Sequence, residues 1–187
     1  MSLVRTGLLA AAASVALFAG TAQAKAPAHD PMVGGAAMYP SKTIVENAIN
    51  SKDHTTLVAA VKAAGLVDTL QGPGPFTVFA PTNAAFGRLP SGTVATLLEP
   101  ANKDQLVKVL TYHVVAGRIS AKDLVTRIHA GGGKAVLKTV QGESLTASVR
   151  GGHVFLTDEK GGRAQVTIPN VYQSNGVIHV VDAVLLP

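Results

Sequence analysis

The sequence predicts an α+β domain in which helices occupy the first half and short strands the second half. Apolar residues recur at helical spacing up to about residue 112. After residue 134, short segments of alternating character are separated by turns that contain glycine. The strands and helices do not alternate one by one, as they would in βαβ units, and the sequence has no internal repeat. We therefore expect a single domain.

The N-terminal segment predicts a cleaved secretory signal followed by a tether. Arg5 precedes an apolar stretch over residues 8–19, and a small-residue cleavage site ends at Ala24. An uncleaved anchor is the alternative, but this stretch is shorter than the roughly 20 apolar residues of a spanning helix, and no later segment supplies them. Removing 24 of the 187 residues leaves 163, enough for one domain. Residues 25–38 are expected to form a flexible tether, and residues 39–187 the domain.

In the first half, apolar spacing and end signals define the expected elements. In the segment 55–64 the apolar residues fall at helical spacing, Thr55 can cap the helix, and Gly65 is placed to end it. Thr82 or Asn83 is expected to cap the helix after the first strand. The expected helices are 42–50, 55–64, 66–70, 84–89, 93–98 and 104–112, and the expected strands are 76–80 and 113–115.

The second half is expected to consist of strands joined by glycine turns. In the segment 177–181, apolar residues lie on both faces, which predicts a central strand covered on both sides. Asp182 ends this strand, where its carboxylate can accept hydrogen bonds from nearby backbone donors. The expected strands are 135–140, 144–150, 153–158, 163–171, 177–181 and 184–186.

Composition limits the chemistry that the chain can perform. Without cysteine it forms no disulfide and offers no thiolate to a zinc ion or a substrate. The formal net charge is +5, and +4 once Arg5 leaves with the signal. Its lysines and arginines are scattered, so we expect only weak attraction to anionic surfaces. With eight aromatic residues (three Tyr and five Phe) and no basic run, nucleic-acid binding is not expected.

Three separated motifs resemble those of a known family. They are GPFTVFAPTNAAF at 74–86, YHVV at 112–115 and NGVIHVVDAVLLP at 175–187. In this order and spacing they resemble the two end motifs and the central Tyr-His motif of the fasciclin-like domain, in its bacterial secreted single-domain type. The resemblance implies a wedge of two β-sheets flanked by several helices. It also implies that the first and last motifs lie on adjacent strands.

The resemblance further implies an exported, non-catalytic adhesion or protein-interaction module, located in the periplasm or outside the cell. Its partner would be an envelope or extracellular protein or polysaccharide. The family's Tyr-His motif is linked to adhesion in animal members, so the expected interaction surface comprises Tyr112, His113, Val114, Val115, Asn170, Val171 and Tyr172. For the tyrosine and histidine of the motif, the alternative is a structural role in which the protein itself satisfies their hydrogen bonds.

Two further functions occur among members of the family. Some members hold carotenoids, so a carrier of a small apolar ligand, such as a carotenoid or lipid, is the alternative function, with Val114, Val115 and Leu137 as lining residues. Integrin contact is not expected. The acidic Asp-Ile pair that some animal members use is replaced by Asn170-Val171.

No catalytic or metal site is expected. The sequence has no G-x-S-x-G motif, and its six histidines show neither His-x-His nor His-x-x-x-His spacing. His179 and Asp182 are close in sequence, but three residues apart on a strand they point to opposite faces. We therefore predict that the protein is not an enzyme and binds no metal or cofactor.

Overall fold

The computed structural model describes residues 30–187, so the expected signal segment and residues 25–29 lie outside the described residues. The helices are α1 (Ile44–Asn50), α2 (Thr55–Ala64), α3 (Val67–Gln71), α4 (Asn83–Gly87), α5 (Thr93–Leu98), α6 (Lys103–Tyr112) and α7 (Ala121–Ala130). The strands are β1 (Met32–Val33), β2 (Ala36–Ala37), β3 (Phe76–Pro81), β4 (Val114–Ala116), β5 (Lys134–Lys138), β6 (Ser144–Arg150), β7 (His153–Thr157), β8 (Arg163–Gln173) and β9 (Gly176–Val181).

The seven longer strands form a continuous array in the order β4-β3-β9-β8-β7-β6-β5. Strand β8 belongs to two sheets, because its first residues pair with β7 and its later residues with β9. Its register against β9 shifts twice, between Val166 and Ile168 and between Ile168 and Val171. Each shift inserts one extra residue into β8, which bends the strand and turns the second sheet away from the first. The predicted wedge of two sheets is confirmed.

The central pair of the first sheet is β3 with β9, which run parallel from Phe76 opposite Gly176 to Pro81 opposite Val181. All six residues of β9 are buried. Ile178 and Val180 face the helices, whereas Val181 faces the space between the two sheets. The prediction of a central strand covered on both sides is therefore confirmed, as is the adjacency of the first and last motifs.

Two cores lie on opposite faces of this pair. Between the first sheet and helices α1, α2 and α6 lies the helical core, which includes Ile44, Leu57, Val78 and Leu110. The wedge core lies between the two sheets and is completed by α7; its members include Phe79, Leu124, Ile128, Leu145 and Leu156. Each such side chain contributes roughly 1.5–3 kcal/mol when it is fully removed from water. Val115 of the outer strand β4 forms a bridge with Thr139, the residue just after the other outer strand, β5, and this bridge draws the two edges of the array together.

The structure corrects the expected tether. Residues 32–37 form a two-stranded antiparallel hairpin, and Val33 and Met38 are buried in the helical core. The flexible tether is therefore wrong for residues 32–38, and ordered structure begins before Tyr39. The segment is rich in Ala, Gly and Pro and has no hydrophobic periodicity, so the sequence did not indicate that Val33 and Met38 would pack into the core.

Two other expectations also differ from the structure. Residues 184–186 form no strand; they run alongside the wedge core, where Leu185 is buried. Helix α7 was not expected, although its N-terminal signal is present in the sequence. Ser120 and Asp123 form a capping box: the Ser120 Oγ accepts from the Asp123 N–H, and the Asp123 carboxylate accepts from the Ser120 N–H. Leu124 and Ile128, four residues apart, form its buried face.

We expect Gly176→Ala to disrupt the central pair. A Cβ at this position would overlap the backbone oxygen of Phe76 and lie 2.9 Å from the Ile44 Cδ1. Overpacking of this kind costs about 1–3 kcal/mol. Urea unfolding should show that loss, whereas Gly87→Ala, whose added Cβ meets nothing within 4 Å, should leave stability unchanged or slightly raised. Equal stabilities for the two variants would contradict the close approach.

Candidate functional site

Tyr112 of the Tyr-His motif is a core residue at the end of α6. Its side chain is fully buried, and its hydroxyl donates a hydrogen bond to the Ser144 carbonyl at 3.0 Å. Burial raises the pKa of this hydroxyl to about 12, so it stays protonated at physiological pH and remains a donor. The ring thereby joins α6 to β6 across the wedge core.

His113 is buried beside Tyr112 and holds the C-terminal segment in place. Its Nδ1 donates to the Val109 carbonyl at 2.8 Å, and its Nε2 accepts from the Leu185 N–H at 3.1 Å. One nitrogen donates and the other accepts, so the ring is neutral. Burial lowers the pKa of His113, while the Val109 carbonyl and the Asp158 charge act in the opposite direction. Asp158 extends this arrangement by accepting from the Leu186 N–H at 3.1 Å.

The structure corrects the expected interaction surface at Tyr112–Val115. None of these four side chains exposes more than 5% of its area. Val114 belongs to the helical core and Val115 to the wedge core, because successive residues of β4 point into different cores. These residues therefore cannot meet a partner directly. The alternative expectation for Tyr112 and His113, a structural role with hydrogen bonds made inside the protein, fits their positions.

The loop that follows β4, residues 117–120, is fixed by buried polar side chains from the central pair. The Thr77 hydroxyl donates to the Gly117 carbonyl at 2.6 Å and accepts from the Ile119 N–H at 2.9 Å. His179 donates from its Nε2 to the Ile119 carbonyl at 2.9 Å. Burial lowers the pKa of His179, with a smaller opposite effect from that carbonyl, so the neutral ring suits the site.

Asn170 fixes the start of α7 from the other side. It lies in the bulged part of β8 with φ +61°, a left-handed conformation that Asn tolerates better than most residues. Its N–H donates to the His179 Nδ1 at 3.3 Å, and its Oδ1 accepts from the Ala121 N–H at 2.8 Å. Val171, the next residue, is fully buried. The structure places both residues in the framework. We use the term loop clamp for Thr77, Asn170 and His179 together.

His179 and Asp182 serve separate structural purposes. The Asp182 Oδ1 accepts from the Gln165 N–H at 2.7 Å, and its other carboxylate oxygen forms an ion pair with Arg88 at 3.2 Å. The prediction that Asp182 accepts backbone donors at the strand end is confirmed. Within residues 30–187, no three His, Asp or Glu side chains are placed to share a metal ion.

Tyr172 is the expected site residue that the structure leaves open to solvent, with 41% of its area exposed. The exposed Arg118 reaches the backbone beside it and donates from one guanidinium nitrogen to the carbonyls of Gln173 at 3.0 Å and Ser174 at 3.1 Å. We use the term Tyr172 surface for the exposed residues Arg118, Pro169, Tyr172 and Ser174. Arg118 was missed because only the fold brings the loop after β4 to the end of β8.

The apolar cavities in the helical core do not support a carrier of a carotenoid or lipid. Two apolar cavities in the helical core measure about 40 and 30 Å³. Sites for small organic ligands occupy roughly 300–1,000 Å³. Val114 lines the larger cavity, whereas Val115 and Leu137 belong to the wedge core.

No helix within the described part of the chain is both long enough and apolar enough to cross a bilayer.

Comparison with known proteins agrees with the family that the three sequence motifs indicate. Residues 52–187 match the family model of the fasciclin domain. The Synechocystis protein sll1483 is 50% identical over 156 residues, which cover 83% of this chain and 79% of that protein. The cell surface glycolipoprotein MPB83 of Mycobacterium bovis is 34% identical over 86% of this chain and 62% of its own length.

A solved structure has the same fold. It is a FAS1 domain pair from the insect cell adhesion molecule fasciclin I, which superposes with a TM-score of 0.70 at 22% identity. The alignment covers 79% of this chain and 52% of that one.

We expect Asn170→Ala to cost more stability than Asn170→Gly. Both variants lose the hydrogen bond to the Ala121 N–H, which contributes about 0.5–1.5 kcal/mol. Alanine is also strained at φ +61°, which should cost roughly 0.5–1 kcal/mol more after the greater freedom of glycine in the unfolded chain is counted. Urea unfolding measures both variants. An alanine variant as stable as the glycine variant would show that the clamp does not hold this backbone.

We expect stability to fall as the pH drops below about 6.5. Burial is the largest cause of a lowered pKa in His54, His113 and His179, so the unfolded chain binds more protons than the folded one below the ordinary histidine pKa. Stability is therefore full above pH 6.5 and is lost as protons bind the unfolded state. Urea midpoints between pH 8 and pH 5 measure this dependence.

The matched variants for this dependence are His113→Gln and His129→Gln. The first should be less stable at pH 8 by about 1–3 kcal/mol but should lose less stability on acidification, because a buried histidine is gone. The second removes an exposed histidine of α7 and serves as the control. If His113→Gln retained the full pH dependence, His113 would not be a buried neutral ring.

Proposed function

The chain belongs to the fasciclin family, and from that premise we propose that it is a non-catalytic adhesion or protein-interaction module exported from the cell. We propose further that residues 1–24 are a cleaved signal, that the tether ends before residue 32, and that the protein acts in the periplasm or outside the cell. Support comes from the relative known as a cell surface glycolipoprotein and from the fold shared with an insect cell adhesion molecule.

The observation that carries the proposal is an exposed aromatic residue on a fixed backbone. Tyr172 follows two residues that are tied into the framework, and Arg118 bonds the two carbonyls that come after it. Aromatic residues and arginine are enriched in protein interfaces, and a side chain whose backbone is already ordered loses less entropy on binding. We propose the Tyr172 surface as the contact with an envelope or extracellular protein.

The buried site residues support this surface from below. His179 holds Asn170, and Asn170 in turn holds the start of α7, so the Arg118 loop and the end of β8 keep a fixed separation. Tyr112 and His113 come just before β4 and anchor its start, while the loop follows its end. In this proposal the Tyr-His motif determines the shape of the surface and does not touch the partner.

We expect Tyr172→Ala to weaken binding to cells at least tenfold, which corresponds to about 1.4 kcal/mol. The fluorescently labelled full chain would be titrated onto washed cells of its source organism, with and without prior protease treatment of the cells. Saturable binding that protease removes would support a protein partner. The control is Ile49→Ala, which removes another exposed apolar side chain, half exposed at the end of α1. Equal binding by the two variants would overturn the Tyr172 surface.

A further inference from the structure

The outer face of the second sheet carries side chains that neither core uses. Along β5 to β8 the inward residues are apolar, and the outward residues align in register across the strands. One row contains Lys134, Ser148, Phe155 and Gln165, and the next contains Val136, Thr146, Thr157 and Arg163. Within residues 30–187, no helix packs over this face, since α7 covers the inner side.

A groove of about 500 Å³ runs across this face. Three exposed cations, Lys134, Arg150 and Arg163, lie along it, and its lining contains no aspartate or glutamate. Among the described residues, no carboxylate oxygen lies within 4.0 Å of the charged nitrogens of these three side chains. We use the term basic groove for this feature. Its positive charge is not neutralised by the domain and so attracts anionic partners.

The floor of the groove is suited to hydroxylated molecules. Thr146, Ser148 and Thr157 present hydroxyl groups that can both donate and accept hydrogen bonds. The half-buried ring of Phe155 lies among them and offers a flat apolar surface. Hydroxyls and one ring, with cations around them, match a sugar chain that carries acidic groups: the ring packs against a sugar face, the hydroxyls bond its hydroxyls, and the cations pair with its carboxylates.

Other polyanions fit this face less well. An extended acidic peptide gains affinity by adding a strand to a free sheet edge, whereas the groove lies on a sheet face whose backbone groups are already paired. Single-stranded nucleic acid needs several aromatic side chains for stacking, and the groove lining has one. An anionic membrane would favour a rim of exposed apolar residues, but on this face the largely exposed apolar side chain is Val136 alone, as far as the described residues extend.

We propose that the basic groove binds an acidic polysaccharide rich in uronate sugars. Lys134 on β5 and Arg163 on β8 are three strand spacings apart, roughly 14 Å, so they pair with carboxylates of different sugars in one chain. The site is separate from the Tyr172 surface, because Arg163 and Tyr172 lie near opposite ends of β8 and the two sets of residues have no member in common. The proposal therefore does not depend on the proposed protein contact.

The test uses polygalacturonate fragments as the probe and fully methyl-esterified polygalacturonate as the uncharged match. Calorimetry with the full chain should detect binding of the first and at least a tenfold weaker interaction with the second. The double variant Arg150→Ala/Arg163→Ala should lose at least tenfold in affinity. Lys62→Ala/Lys103→Ala removes the same charge from exposed positions on α2 and α6, and should change affinity less than twofold.

Two more measurements separate a sugar site from general charge attraction. Phe155→Leu keeps apolar volume but removes the ring, and should weaken polygalacturonate binding severalfold. Tyr172→Ala should bind the probe as the unmodified chain does. Polyglutamate or phosphatidylglycerol vesicles that bind as tightly as polygalacturonate would overturn the proposal, as would equal effects of the two double variants.

A readout on the unmodified chain protects the test against variants that fail to fold. In NMR titrations with polygalacturonate, the amide signals that shift should belong to β5–β8, around Ser148, Phe155 and Thr157. Shifts confined to other elements, or none at saturating probe, would overturn the assignment of the groove.

Discussion

The structure depends on the need to satisfy polar groups inside the buried β3–β9 pair. Because this pair is covered by the helical core on one face and by the wedge core on the other, Thr77 and His179 have no access to water. An unpaired buried polar group costs about 1–3 kcal/mol, so each side chain must find a partner within the protein. Both find it in the loop of residues 117–120, and Asn170 completes the arrangement by accepting from the first N–H of α7. The loop clamp thus holds the chain between β4 and α7 against the central pair.

Most of the framework can be predicted from local sequence patterns. The helix over Thr55–Ala64 has the bounds that its spacing and Gly65 predict, and the burial of β9 follows from apolar residues on both faces. The three motifs predict the family and the wedge. Helix α7 was also predictable, because Ser120 and Asp123 carry a capping-box pattern ahead of Leu124 and Ile128.

The candidate site was harder to predict because it depends on contacts between distant residues. Burial of Tyr112 and His113 follows from contacts with Ser144 and Leu185, which are 32 and 72 residues away. The same holds for charge. Lysines and arginines that look scattered along the chain gather on one face, because strand alternation and register place Lys134, Arg150 and Arg163 around a single groove. Periodicity describes one strand, whereas a surface depends on how strands pair.

The central claim is that the buried residues of the motifs support the fold, which leaves interaction to the exposed side chains. Native-state hydrogen exchange, read by NMR at individual amides, tests it most directly. The N–H groups of Ile119 and Leu185 donate to buried side chains and not to a sheet ladder. That of Ala121 donates to the partly buried Asn170. We predict that all three exchange as slowly as amides of β9, through global unfolding. Exchange of these three amides at the rate of exposed loops would show that the loop clamp and the His113 contact do not hold, and would contradict the account.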